Sequence, residues 1–137
     1  MMRTWCGLLL LAVVAVGLFG AYPQKLVPSE FIVDPGLVRW WKFDVPDSAR
    51  VSGKFHVYSG GQRDIEAIVA TWDECENWIN GNQAHAVWQS GRVTNGKVNV
   101  PLNGSFSGTY CIAFSNRMSV VTAKEVSAEI TIERPGW

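Results

Sequence analysis

Apolar and polar residues alternate in several short stretches of this chain, most regularly near the C-terminus. Along residues 124–133, every second side chain from Val126 to Ile132 is apolar, and polar residues stand between them. A period of two places successive side chains on opposite faces of a β-strand. The same alternation recurs at residues 51–58 and 109–114. These stretches therefore predict strands that bury one face.

About eight short strands of this kind follow residue 25, separated by turn-forming residues. Asn-Gly pairs at Asn95 and Asn103 are strong turn signals. No long stretch there has helical periodicity, although one helical turn is expected near residues 75–79 and an extended run over residues 84–89. A parallel sheet would require crossover helices. The pattern predicts an all-β fold, an antiparallel, jelly-roll-like β-sandwich.

The N-terminal segment has a different pattern. From Trp5 to Tyr22 the chain runs for 18 residues without a charge, and Arg3 precedes it. A helix of that length spans roughly 27 Å, close to the hydrocarbon thickness of a bilayer. Residues 1–24 are therefore interpreted as a cleaved signal peptide or a retained signal anchor, and residues 25–137 as the exported β-sandwich. A retained anchor would leave the N-terminus in the cytoplasm.

Charge and composition narrow the function. The 137 residues carry 12 basic and 12 acidic side chains, so the net charge is zero and nucleic acid is not an expected partner. His56 and His85 share no metal-ligand spacing, and no nucleophile motif accompanies them. The acidic residues between Asp64 and Glu76 are interpreted as a solvated loop. We expect no catalytic site, no metal and no cofactor.

Cys75 and Cys111 are the two cysteines beyond the N-terminal segment. An oxidising compartment would allow them to pair, and the alternation places Cys111 on the face opposite Tyr110 and Ile112. The spacing does not establish whether their Cα atoms approach within about 7 Å, as a disulfide requires. A disulfide and two unpaired thiols therefore both remain open.

Tryptophan is abundant, with seven in the chain. Trp40 and Trp41 are adjacent in a predicted strand, so one should face the core and the other should not. Trp rings suit binding surfaces because they offer a large apolar area and one N–H donor; the alternative is that they cover a small core. The candidate binding surface consists of Trp72, Trp78, Trp88, Asn116 and Arg117.

The residues Gly108-Thr-Tyr110, Phe114-Ser-Asn116, Ser119 and Lys124-Glu-Val126 resemble the C-terminal part of the GOLD (Golgi dynamics) domain. The resemblance implies a β-sandwich that binds proteins. GOLD cargo receptors carry a disulfide from an early strand, and no cysteine stands at that position here. The stretch Gly60-Gly-Gln-Arg-Asp64 resembles, more briefly, the bacterial pre-peptidase C-terminal domain, which is also a β-sandwich of exported proteins.

These observations together predict a non-enzymatic, extracytoplasmic protein-interaction module. A single membrane pass through residues 5–22 would anchor it, and its partner would be a protein, in particular another membrane protein. The alternative is a secreted carbohydrate-binding or enzyme-accessory domain that stacks Trp rings on sugars.

Overall fold

The structure is a computed structural model that describes residues 23–103 and 108–134. Nine strands and one helix lie in those residues. In chain order they are β1 (Gln24–Lys25), β2 (Glu30–Val33), β3 (Val38–Val45), β4 (Ala49–Ser59), β5 (Ile65–Thr71), α1 (Trp72–Ile79), β6 (Trp88–Val93), β7 (Asn95–Leu102), β8 (Gly108–Ser115) and β9 (Lys124–Glu133).

The strands form two antiparallel sheets that pack face to face. In the first sheet, β1 and β2 both pair with β9, which pairs with β4, and β4 pairs with β7. In the second sheet the order is β3, β8, β5, β6. The predicted antiparallel β-sandwich is thus confirmed, with nine strands rather than about eight.

The main core lies between the two sheets and centres on Phe114, which is fully buried. The Phe114 ring lies 4.9 Å from the Phe31 ring and 5.3 Å from the Phe55 ring, centroid to centroid. Trp41 packs against this core, whereas Trp40 points outward and is 38% exposed. The alternation of β9 also holds, because its apolar side chains enter this core.

Strands β5 and β8 are buried on both faces because α1 covers the outer face of the second sheet. Cys111, in β8, faces α1, as its parity predicts, while Tyr110 and Ile112 face the main core. The small cluster under the helix consists of Ile68, Ala70, Cys75, Cys111 and Ala113. This double burial explains the continuous apolar run of β5, which lacks alternation.

The helix is longer than the single turn expected from the sequence. It begins after Thr71, carries Asp73 and Glu74 in its first turn, where carboxylates favour the helix dipole, and ends before Asn80. Residues 84–89 are also only partly extended, since β6 begins at Trp88. The apolar residues of α1 pack against the second sheet, and the local sequence pattern does not show that contact.

The first and last described strand segments, at Gln24 and Ile132, lie at the same end of the sandwich. Gln24 pairs with Ile132 near the end of β9, whereas the loop before Lys124 lies at the other end. The predicted membrane segment, Trp5 to Tyr22, lies outside the described residues. Within residues 23–103 and 108–134, no helix has the length and apolarity needed to cross a bilayer.

Candidate functional site

Three loops and the last turn of α1 meet at the end of the sandwich away from Gln24. We call this the loop end; it comprises residues 34–37, 60–64 and 116–123 and the C-terminal turn of α1. The Gly36 N–H donates to the Asn116 carbonyl at 3.0 Å, and the Asn116 N–H donates to the Leu37 carbonyl at 2.8 Å. These bonds tie the first and third loops together.

The β8–β9 loop presents two adjacent valines to solvent. Val120 is 88% exposed and Val121 is 85% exposed, and Leu37, at the same end, is 56% exposed. Single exposed apolar residues are common, whereas these two neighbours together form a small apolar patch on the loop. The sequence pattern did not single out these residues, because a Val-Val pair between strands also fits a strand end.

Arg117 and Trp78, both predicted site residues, come together at the loop end. The Arg117 guanidinium donates to the Ile79 carbonyl at the C-terminus of α1 and lies 6.0 Å from the Trp78 ring centroid. A cation at a helix C-terminus is stabilised by the carbonyls there. This contact joins the β8–β9 loop to α1.

Asn116, another predicted site residue, is fully buried. Its Nδ2 donates to the Val33 carbonyl at 3.0 Å and to the Thr122 carbonyl at 2.8 Å. Its Oδ1 has no hydrogen-bond partner among the described residues. Asn116 therefore holds the loops of this end together from inside and offers no surface to a ligand.

The structure separates the three predicted site tryptophans. Trp72, at the start of α1, packs on Trp40 with ring centroids 5.1 Å apart, and the Lys42 ammonium lies 4.1 Å from the Trp72 ring centroid. Trp78 lies at the other end of the helix, and Trp88 packs against the main core. Trp72 and Trp40 thus form a second aromatic surface that does not include Trp78 or Trp88.

A charge cluster lies beside the β8–β9 loop. Lys124, the first residue of β9, is 1% exposed, and its Nζ donates to Asp64 Oδ1 at 2.7 Å. Arg92 Nε lies 3.5 Å from Asp64 Oδ2. The pKa of the Asp64 carboxyl is lowered, first by the Lys124 hydrogen bond and then by the positive charges of Lys124 and Arg92, which together outweigh its desolvation.

The interpretation of Asp64 as part of a solvated acidic loop is therefore wrong, since its side chain is only 14% exposed. The sequence did carry a sign of this burial, because Lys124 has the same parity in β9 as the inward-facing Val126. A polar cleft of 250 Å³ opens over the cluster and is lined by the residues Gly61, Gln62, Asp64, Arg92, Met118, Ser119, Thr122 and Lys124.

A second, shallower groove of 680 Å³ crosses the outer face of the first sheet. Lys54 in β4 lies directly opposite Lys97 in β7 and Glu129 in β9. Next to this row, His56 Nδ1 and Asn95 Oδ1 form a hydrogen bond. Charged and polar side chains border this groove together with Phe55, and it lies on the sheet that α1 does not cover.

Cys75 of α1 and Cys111 of β8 are joined by a disulfide, with their Cα atoms 6.4 Å apart. The bond fixes the helix to the second sheet. Elsewhere on that side, Glu74 accepts a hydrogen bond from the His85 backbone N–H at 2.8 Å, which is the main reason that the pKa of Glu74 is lowered. Nowhere in the described part of the chain do three or more His, Cys, Asp or Glu side chains gather as metal ligands would.

No known protein-family model matches this chain. Nor does any curated protein sequence match it. Among solved structures, a CBM4 structure is 11% identical and covers 88% of this chain and 82% of its own, with a TM-score of 0.45. The pre-peptidase C-terminal domain of a collagenase from Bacillus anthracis is 9% identical, covers 82% and 90%, and has a TM-score of 0.42.

The periplasmic inhibitor of g-type lysozyme from Aeromonas hydrophila, PliG, is 17% identical and covers 80% of this chain and 89% of its own, with a TM-score of 0.41. At these identities no functional residue carries over to this chain. The GOLD and pre-peptidase C-terminal resemblances stay predictions.

Proposed function

We propose that this protein is a non-enzymatic, extracytoplasmic protein-interaction module that binds its partner with the loop end. The observation that carries the proposal is the exposure of Val120 and Val121 at the apex of the β8–β9 loop. Burying both side chains in an interface would contribute about 3 kcal/mol, on the order of 100-fold in affinity. The Gly108-Thr-Tyr110 pattern of β8 supports a GOLD-like module of this kind.

The position of Gln24 fits an anchored arrangement. Gln24 lies at one end of β9 and the β8–β9 loop at the other, and a ten-residue strand is about 33 Å long. If Trp5 to Tyr22 is a retained anchor, the loop end faces away from that membrane. Intact masses from the membrane and soluble fractions of the native host test this: a full-length mass in the membrane fraction supports it, and a shortened, soluble form refutes it.

Site-specific cross-linking tests the interaction surface. A photoreactive amino acid is placed at Val120 in the native host and, as a matched control, at Val87, which is 48% exposed and precedes β6. We expect one protein to cross-link at position 120 and not at position 87. Equal cross-linking at both positions, or none at position 120, would contradict the proposal.

The cross-linked partner, once purified, allows the energetics to be measured. We expect the double variant Val120→Ser, Val121→Ser to weaken binding on the order of 100-fold, and Val87→Ser to leave it unchanged. Alanine at Trp78 or Arg117 should weaken binding as well, because their contact holds the loop against α1. Unchanged affinity in all of these variants would place the interface elsewhere.

A second candidate function is carbohydrate binding, and the Trp40–Trp72 pair favours it. Trp40 is 38% exposed and its ring lies against that of Trp72, so part of an aromatic surface is open to a sugar beside the Lys42 ammonium. A glycan array with folded protein tests this. A signal that Trp40→Ala abolishes and Val120→Ser leaves intact would support it, and the absence of any signal would remove it.

A further inference from the structure

Lys124 carries a buried ammonium group at the start of β9. An ammonium has three N–H donors, and one of them meets Asp64 at 2.7 Å. Its other two donors have no partner in the described part of the chain. Lys124 is only 1% exposed, yet it lines the polar 250 Å³ cleft. The two donors without a partner among the described residues are therefore open to water or to a ligand group that enters this cleft.

The turn after β4 packs closely against the Lys124 side chain. A Cβ on Gly60 would stand 3.0 Å from Lys124 Cδ, and one on Gly61 would stand 3.3 Å from Thr122 Cγ2. Both glycines have positive φ, and Arg63 in the same turn has a φ of 54°, an uncommon value for a residue with a side chain. The turn at residues 60–63, which forms one wall of the cleft, thus has backbone angles that most residues rarely adopt, and the surrounding contacts hold it there.

Arg92 supplies a second cation with unused donors. Its Nε lies 3.5 Å from Asp64, its side chain is 55% exposed, and its terminal NH2 groups have no partner among the described residues. Glu66 is its cross-strand neighbour, but no ion pair joins the two. Two cations and the single Asp64 carboxylate leave the cluster with a net charge of +1.

The rest of the cleft adds neutral hydrogen-bonding groups. Ser119 and Thr122 line it, and these two residues flank Val120 and Val121 in the chain. The same loop therefore carries two exposed apolar side chains and, on either side of them, two hydroxyl-bearing residues that line the cleft. A ligand that fits both parts is an apolar group next to an anion.

We propose that this cleft binds a carboxylate, and that the carboxylate belongs to an acidic residue of the protein that docks on Val120 and Val121. This inference rests on the proposed function and names the chemistry of its partner. A monoanion matches the net charge, and a planar carboxylate fits the guanidinium fork of Arg92. A phosphate dianion fits less well, since the Asp64 carboxylate stands beside it in a cleft of 250 Å³.

The test uses the isotope-labelled full chain in a neutral detergent, with three probes: sodium acetate, acetyl-leucyl-aspartyl amide, and the matched acetyl-leucyl-asparaginyl amide. Magnetic resonance follows the Arg92 Nε signal and the amide signals of Ser119 and Thr122. We expect saturable shifts with the aspartyl peptide, and at least about tenfold weaker binding for the asparaginyl peptide. Acetate should bind more weakly than the aspartyl peptide because it lacks the apolar group.

The variant Arg92→Gln should weaken aspartyl-peptide binding roughly tenfold or more. Lys97→Gln, on the other sheet, should not change it. No saturable shift, or equal affinity for the aspartyl and asparaginyl peptides, would overturn the carboxylate site. Acetate binding as tightly as the aspartyl peptide would overturn the assignment to a protein partner.

The two proposals fail in different ways. If a partner still cross-links at position 120 while no carboxylate binds, the interaction module stands and the carboxylate site is refuted. If acetate and the aspartyl peptide bind but no partner cross-links, the carboxylate site stands, and the proposed function and the assignment to a partner are refuted.

Discussion

Replacing Asp64 with asparagine removes the charge that neutralises a buried lysine. Lys124 is 1% exposed and lies 2.7 Å from the Asp64 carboxylate, so the variant leaves an uncompensated cation inside the protein. Breaking a buried ion pair in this way costs about 3–5 kcal/mol. We expect about 3 kcal/mol, the lower end, because the polar cleft admits water to the site and the Asp64 side chain is 14% exposed.

A loss of that size corresponds to a decrease of about 12 °C in the melting temperature of a domain of this length. Urea unfolding of the full chain in a neutral detergent measures the free energy directly. Asp47→Asn is the matched control, because Asp47 is exposed and forms no ion pair or hydrogen bond with the described residues.

Lys124→Met, added to Asp64→Asn, removes the stranded cation and should recover most of the lost stability. A cost below about 1 kcal/mol for Asp64→Asn, the range of exposed ion pairs, would refute this reasoning.

Three further predictions concern acid, the disulfide and two glycines. The pKa of Asp64 is lowered in the folded protein. The Asp64 carboxylate therefore contributes its full stabilisation above the unfolded-chain pKa of about 3.9, and this stabilisation is lost as the pH falls through the folded pKa. In the Asp64→Asn variant, the urea midpoint should lose this part of its dependence on acid. Replacing both Cys75 and Cys111 with serine should lower the free energy of unfolding by about 3–4 kcal/mol for a loop of this length, and an unchanged urea midpoint after reduction of the wild type would contradict this. Gly53→Ala should destabilise far more than Gly36→Ala, which should cost about 1 kcal/mol, because both have positive φ but only a Cβ at Gly53 would overlap a backbone oxygen of β9; equal thermal shifts would contradict the argument.

The outcome at the candidate site differed from residue to residue. Trp78 and Arg117 do meet at the loop end. Asn116 is buried, and Trp88 packs against the core. Residues far away in the sequence enclose both side chains, and a local pattern does not show such contacts. The exposed pair at the β8–β9 apex became visible only when the strands on either side were placed, since apolar residues in a sequence do not show which of them lack a neighbour.

The alternation of apolar and polar residues was enough to predict the all-β class of the described domain. Its period of two predicts strands, and Gly, Asn and Pro turns separate them. Parity places Trp40 and Trp41 on opposite faces and Cys111 on the face opposite Tyr110 and Ile112. These are local properties, because the backbone geometry of a strand fixes where consecutive side chains point.

The partners of those faces depend on how distant segments pack. The tertiary structure placed α1 over the second sheet, paired Cys75 with Cys111, and brought Lys124 to Asp64 across 60 residues of chain. The sequence supplied each residue and its parity, but burial and pairing depend on which distant segments pack together. That packing is set by the sum of many weak contacts across the fold rather than by any one motif.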